Sequence, residues 1–160
     1  MKRVEANDPV ALCELAKEYA KNRDCDGAFK YLTKAAELGD AEAHYGLSIM
    51  YRDGEDVEKD KKMERYHLEE AAIQGHPSAR NNLGCYDLDN DKIERAVKHF
   101  TIAARLGHDR SIQALKECYR AGVISKDDFA AALRAHHAAV NATKSPQREY
   151  GDKMTLAYNV

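Results

Sequence analysis

The motif Ala-Ala-x-x-Gly occurs three times in the chain, and this repetition limits the fold more than any other feature. The copies lie at 35–39, 71–75 and 103–107, so successive copies are 36 and 32 residues apart. A period in the thirties is typical of stacked helical hairpins, in which each repeat is one supersecondary unit. Such arrays usually present surfaces to other macromolecules and seldom carry out chemistry. The repetition therefore predicts an all-α solenoid.

A second register predicts the first helix of each repeat. It begins at Asp8 and returns after 32, 36 and 32 residues, at Asp40, His76 and His108. From each start, the residues at offsets of three, seven and eleven share one helical face. They are a small residue, a leucine and, in three repeats, a tyrosine, with Asp87 in the remaining repeat. This pattern predicts first helices near 9–20, 41–52, 77–87 and 109–120.

The second helix of each repeat carries the alanine pair, which permits close approach of a neighbouring helix. The glycine that closes the motif supplies the left-handed residue at which a helix stops. We expect second helices near 26–38, 60–74, 92–106 and 126–141, with N-caps at Asp60, Asp91 and Ser125. The predicted organisation is a lead-in at 1–7, then repeats at 8–39, 40–75, 76–107 and 108–141, then a tail at 142–160. The tail contains the turn-like segment Lys144-Ser145-Pro146 and is expected to be flexible.

Composition excludes several classes of function. Apolar residues make up 44% of the chain and charged residues 32%, which is typical of a soluble helical protein. A net charge of −2, with both signs interspersed, predicts no footprint for nucleic acid or an anionic membrane. No stretch approaches the ~18 apolar residues of a spanning helix, and the first residues lack the apolar region of a secretory signal. With four cysteines at unequal repeat offsets, these features predict reduced thiols in a cytoplasmic or nuclear protein without membrane insertion.

The stretch 43–75 resembles a complete Sel1-like repeat. That family's pattern is a small residue before Leu-Gly-x-x-Tyr, then a loop Gly-x-Gly-Val-x-x-Asp, then Ala-Ala-x-x-Gly. Here Leu47 and Tyr51 precede the loop Gly54-x-x-Val57-x-x-Asp60, which separates this repeat from ordinary tetratricopeptide repeats. Three positions depart from the pattern. Ser48 replaces the glycine after the leucine, Asp56 replaces the second glycine of the loop, and Met63-Glu64 replaces the usual alanine region of the second helix. The chain is therefore similar to Sel1-like repeat proteins, within the tetratricopeptide-repeat-like superfamily.

The resemblance implies a right-handed α/α superhelix of about four helix-turn-helix repeats that acts as a non-enzymatic protein-interaction adaptor or scaffold. The opening segment also resembles the entry to the repeats of microalgal Sel1-like proteins that carry an upstream RING-type zinc module. An alternative function is therefore the substrate-selecting part of a ubiquitin-ligase system whose RING-type module is absent from this chain. A hydrolase is a distant third alternative, because some cysteine-rich Sel1-like proteins are linked to β-lactam binding. That reading would need periodic disulfides and a secretory signal.

The expected binding site is the concave groove lined by the first helices. Helical phase places one set of side chains opposite the core face, where aromatic, amide and cationic groups could hold a peptide or protein. These candidate partner-binding residues are Tyr45, Ile49, Arg52, Asn81, Cys85, Gln113 and Lys116. The alternative is a solvated face without a dedicated ligand.

The sequence offers no catalytic or metal-binding constellation. A nucleophilic cysteine needs a base and an orienting group, whereas Cys13, Cys85 and Cys118 fall in predicted first helices, where cysteine usually fills apolar space. His67 and His99 occupy equivalent positions in adjacent repeats, at a separation of ~10 Å that is too large for a shared metal. We therefore predict no enzyme activity, no cofactor and no metal site.

Overall fold

The computed structural model describes residues 8–54 and 57–158, so the predictions for the lead-in at 1–7 and for Asp56 lie outside the described residues. Within this part of the chain the regular secondary structure is helical, which confirms the predicted all-α class. The helices are α1 (Pro9–Lys21), α2 (Cys25–Glu37), α3 (Ala41–Asp53), α4 (Lys61–Ile73), α5 (Pro77–Asp89), α6 (Ile93–Arg105), α7 (Asp109–Arg120) and α8 (Lys126–Tyr158).

Consecutive helices form antiparallel hairpins that stack into a solenoid. The most extensive contacts join α1 to α2, α3 to α4 and α5 to α6. The hairpins are then linked by contacts of α2 with α3, α4 with α5 and α6 with α7. The last helix, α8, packs on both α6 and α7 and covers the end of the array. Each repeat therefore packs within its own hairpin and also against its neighbours, as expected of a repeat protein.

The helix bounds follow the sequence predictions closely except in the tail. The ends of α1 to α7 fall within two residues of the predicted positions. The predicted turn around Ser145-Pro146 is wrong, because α8 continues through it to Tyr158. A proline removes one backbone hydrogen bond, but a helix that packing has already nucleated adds the next residues without paying the nucleation cost again.

The Ala-Ala-x-x-Gly motif is a helix stop. Gly39 adopts a left-handed conformation with φ of 84°. Its N–H donates to the carbonyl of Ala36 at 2.8 Å, and the N–H of Asp40 donates to the carbonyl of Ala35 at 3.0 Å. These two bonds define a Schellman motif. The same pair of bonds recurs at 71–76 and 103–108, so the repeated motif fixes the angle between successive repeats.

The residue that follows each stop begins the next helix. The side chain of Asp40 accepts a hydrogen bond from the N–H of Ala43, and Asp60 caps α4 in the same way, as predicted. The prediction that Asp91 is an N-cap is wrong, because Asp91 has φ of 57° and Lys92 occupies the cap position. Aspartate tolerates the left-handed region better than most residues, so it can close α5 without a glycine.

Gly84 makes room for the largest buried side chain. A Cβ atom at Gly84 would lie 2.6 Å from Cε1 of Phe100, which is fully buried. One repeat earlier, the equivalent positions hold Ser48 and Leu68, a larger residue paired with a smaller one. The volume at this contact is thus divided differently in the two repeats.

We expect Gly84→Ser to lower the free energy of unfolding by about 1–3 kcal/mol, because the added side chain would overlap the buried Phe100 ring. Combining it with Phe100→Leu reproduces the Ser48/Leu68 pair. The double variant should therefore be more stable than the sum of the single effects by about 0.5–3 kcal/mol. Urea denaturation of the wild type and these three variants measures the coupling. Additive effects would contradict the proposed division of volume.

Candidate functional site

Two of the predicted groove residues meet in a cavity between α3 and α5. Arg52 and Cys85 line this cavity of ≈ 270 Å³, whose other walls include Leu68, Asn82 and Tyr86. The Arg52 guanidinium also pairs with Asp53, with Nε 2.9 Å from Oδ1. Glu64 and Leu68 of α4 also line it, so the cavity is bounded by α3, α4 and α5.

A second cavity on the same face contains two further predicted residues. Tyr45 and Asn81 line a space of ≈ 430 Å³ that reaches the start of α7 at Asp109 and Arg110. The Tyr45 ring stacks on the His76 ring, with centroids 4.3 Å apart. Asn82 lines both this cavity and the one between α3 and α5. The two cavities are therefore adjacent along the face of the first helices.

Asn81 does not project into open solvent, so its predicted exposure in the groove is wrong. The residue is 8% exposed. Its Oδ1 accepts a hydrogen bond of 2.9 Å from Oγ of Ser111, and its Nδ2 lies 3.9 Å from Sγ of Cys85. Ser111 carries a hydroxyl where the other repeats have alanine, and it supplies the partner that draws Asn81 inward. Asn81 thus joins α5 to α7.

The remaining predicted groove residues differ in exposure. Gln113 is exposed, whereas Ile49 and Lys116 are half-buried. A partner-binding role for these three residues stays a prediction.

Another cavity lies on the opposite face, between the second helices α2 and α4. It has a volume of ≈ 500 Å³. We call it the aromatic cleft and define it by its ring-bearing residues and its two carboxylates. These are Phe29, His44, Tyr51, Tyr66, His67, Glu37 and Glu70. None of them was predicted as a site residue.

A buried histidine pair forms the floor of the aromatic cleft. His44 on α3 and His67 on α4 are joined by a hydrogen bond of 2.9 Å between their Nδ1 atoms. Only one of these nitrogens can carry the shared hydrogen, so the contact excludes two fully protonated rings. Burial and then the neighbouring His44 lower the pKa of His67 to about 4. Burial likewise lowers the pKa of His44, against opposing effects of Glu70, the Ala36 backbone and Asp40.

A smaller cleft of ≈ 200 Å³ occupies the same place one repeat further on, between α4 and α6. We call it the charged cleft. Its residues follow those of the aromatic cleft by 36 positions on α4 and α5 and by 32 on α6. Three of its positions hold arginine where the aromatic cleft has phenylalanine, histidine and methionine. These arginines are Arg65, Arg80 and Arg95, and they replace Phe29, His44 and Met63.

Asp87 is the buried centre of the charged cleft. It stands at the tyrosine position of the repeat, yet its side chain is 3% exposed. Its Oδ2 lies 3.3 Å from Nε of Arg95 and 3.6 Å from Nε2 of His99. A buried carboxylate is costly without such partners, so the arginine at position 95 compensates for the aspartate at position 87.

Three of the four cysteines, Cys13, Cys85 and Cys118, have a raised thiol pKa. Burial raises the pKa of Cys13 to about 12 and raises the pKa of Cys118. Partial burial of its sulfur, followed by Asp89, raises the pKa of the Cys85 thiol, although that residue is exposed overall. Because the thiolate is the nucleophile, these environments do not activate the sulfur.

Within 8–54 and 57–158, no group of three or more histidine, cysteine or acidic residues could hold a metal ion. No helix among the described residues combines the length and apolar character needed to cross a membrane.

Comparison with known proteins gives one family and two similar structures. The Sel1 repeat matches the chain three times, at residues 9–40, 41–76 and 77–108. A search of curated proteins found no match.

The first similar structure is a Sel1 repeat protein from Oxalobacter formigenes. It is 28% identical, has a TM-score of 0.67, and is aligned over 72% of this chain and 93% of its own. The second is c5321, a protective antigen present in uropathogenic Escherichia coli strains that displays an SLR fold. It is 29% identical, has a TM-score of 0.71, and is aligned over 88% of this chain but 32% of its own. The three consecutive matches cover more than half of the sequence, and the chain belongs to the Sel1 repeat family.

Proposed function

We propose that this protein is a non-enzymatic interaction adaptor that holds a peptide segment of a protein partner along the face of its first helices. Sel1 repeat proteins are generally protein-interaction modules. The proposal rests on Asn82, which lines both cavities of that face and therefore places them side by side. An extended segment crossing from α3 to α7 would meet both cavities in turn.

The side chains along this path suit recognition of a backbone together with side-chain anchors. Tyr45 supplies an aromatic surface, Asn82 supplies an amide with both donors and acceptors, and Arg52 supplies a charge. The protonated Cys85 thiol adds a soft apolar contact at the mouth of the first cavity. We also propose that the protein is cytoplasmic or nuclear. The free thiols of Cys13, Cys85 and Cys118 support this location.

The test starts from peptides selected on the immobilised protein from a random displayed library. For a selected peptide, we expect the double variant Tyr45→Ala/Asn82→Ala to raise Kd by more than tenfold, or over ~1.4 kcal/mol. Calorimetry measures Kd, and circular dichroism checks that helicity is unchanged. The matched control is His137→Ala, an exposed residue on α8. Peptides that bind the double variant and the wild type equally well would contradict a site on this face.

A further inference from the structure

The aromatic cleft presents ring faces and edges around one opening. The Tyr51 and His67 rings are stacked, with centroids 5.7 Å apart and planes inclined by 8°. Phe29 meets Tyr51 edge-on at 6.0 Å, and Tyr66 meets His67 at 5.0 Å. Tyr66 is 49% exposed, so part of its ring is open to a ligand that enters from solvent. A group that binds here would contact π-electron surfaces.

The charge of the aromatic cleft has one sign. Glu37 on α2 and Glu70 on α4 both line it, and no described lining residue is lysine or arginine. Burial lowers the pKa of both His44 and His67, so at neutral pH these rings are uncharged. Two carboxylates beside aromatic rings and neutral imidazoles favour a cation.

We propose that the aromatic cleft binds an arginine side chain of a protein partner, on the face opposite to the groove of the first helices. A guanidinium is planar and can lie on a tyrosine ring while its N–H groups bind a carboxylate in a bidentate manner. Arginine is also more weakly hydrated than lysine, so it loses less on entering a cleft lined with rings. The aromatic cleft would therefore recognise an arginine of the partner that the groove of the first helices does not contact.

The charged cleft provides an internal comparison for this proposal. It uses the equivalent backbone positions one repeat further on, but Arg65, Arg80 and Arg95 replace the aromatic and apolar residues there. Its arginines repel a further cation, and Asp87 is already paired with Arg95. We therefore expect arginine to enter the aromatic cleft and not the charged cleft, although the two clefts share one architecture.

An NMR titration of the ¹⁵N-labelled chain tests the proposal. The probe is Nα-acetyl-arginine methylamide, and its neutral counterpart carries citrulline. For a ligand of this size we expect Kd of roughly 1 mM, with shifted amide signals clustered around Tyr66 and Glu70. The citrulline probe, which keeps the shape and removes the charge, should bind at least fivefold more weakly.

Variants locate the site. Glu70→Gln and Tyr66→Ala should each weaken arginine binding at least fivefold. The matched control is Glu69→Gln, the adjacent residue on α4, which lines the charged cleft and should leave Kd unchanged. Tyr45→Ala should also leave it unchanged, so this result is independent of the groove of the first helices. Equal binding of citrulline, no binding at 50 mM probe, shifts centred on the charged cleft, or full binding by Glu70→Gln would each overturn the proposal.

Discussion

Replacing Phe100 by alanine should lower the free energy of unfolding by about 3–5 kcal/mol. The side chain is 0% exposed and is the largest of the fully buried side chains. It belongs to a cluster with Ile112, Leu115 and Ala132, so it is part of a core that α6, α7 and α8 share. The small neighbours Ala96 and Ala104 cannot refill the space, and a cavity would remain.

Urea denaturation followed by circular dichroism measures this effect. Because each repeat depends on the next for burial, the loss should destabilise the whole last part of the array and not α6 alone. The matched control is Ile102→Ala on the same helix, where the side chain is 39% exposed. We expect that change to cost less than about 1 kcal/mol. A similar cost for the two variants would show that Phe100 does not organise this core.

The sequence predicts the fold well because the repeat register and the backbone chemistry coincide. The closing glycine at positions 39, 75 and 107 takes a conformation that other residues rarely adopt, so its spacing reports the helix ends directly. The two alanines of the motif are buried, and their carbonyls accept the two hydrogen bonds that close the helix. A feature that is required by both local geometry and packing can be found without a structure.

Where a side chain has two competing partners, the sequence predicts less. Asp91 has the composition of an N-cap, but it closes the preceding helix, and only the backbone angle decides between these roles. Asn81 lies at a position expected to face the groove, yet the hydroxyl of Ser111, thirty residues later, turns it inward. The first outcome depends on a backbone angle and the second on a contact between α5 and α7, and helical phase predicts neither of them.

The aromatic cleft could not be predicted from one helix at a time, because its walls come from α2, α3 and α4. The sequence does contain a signal, namely that the residues of the two clefts are related by the repeat spacing. At these equivalent positions, Phe29 is replaced by Arg65 and Tyr51 by Asp87. Position-by-position comparison of repeats, and not helical phase alone, would have located the clefts. Their volumes and the His44–His67 contact still require the structure.

Acidification should destabilise the protein through the His44–His67 pair. The folded-state pKa of His67 is about 4, below its ordinary value of 6.5, so the unfolded chain binds more protons between these two values. Stability from this residue is therefore complete above pH 6.5 and is lost as the pH falls toward 4. From about pH 7.5 to about pH 5, His67 alone should lower the free energy of unfolding by about 2 kcal/mol.

Urea denaturation at several pH values measures this loss, and His67→Gln isolates it. Glutamine has an amide in place of the ring and does not titrate, so the variant should lose about 2 kcal/mol less than the wild type over the same range. Burial lowers the pKa of His99 and His108 in the same direction, and those contributions cancel in the comparison. If His67→Gln and the wild type lose equal stability on acidification, His67 does not control the acid sensitivity of the fold.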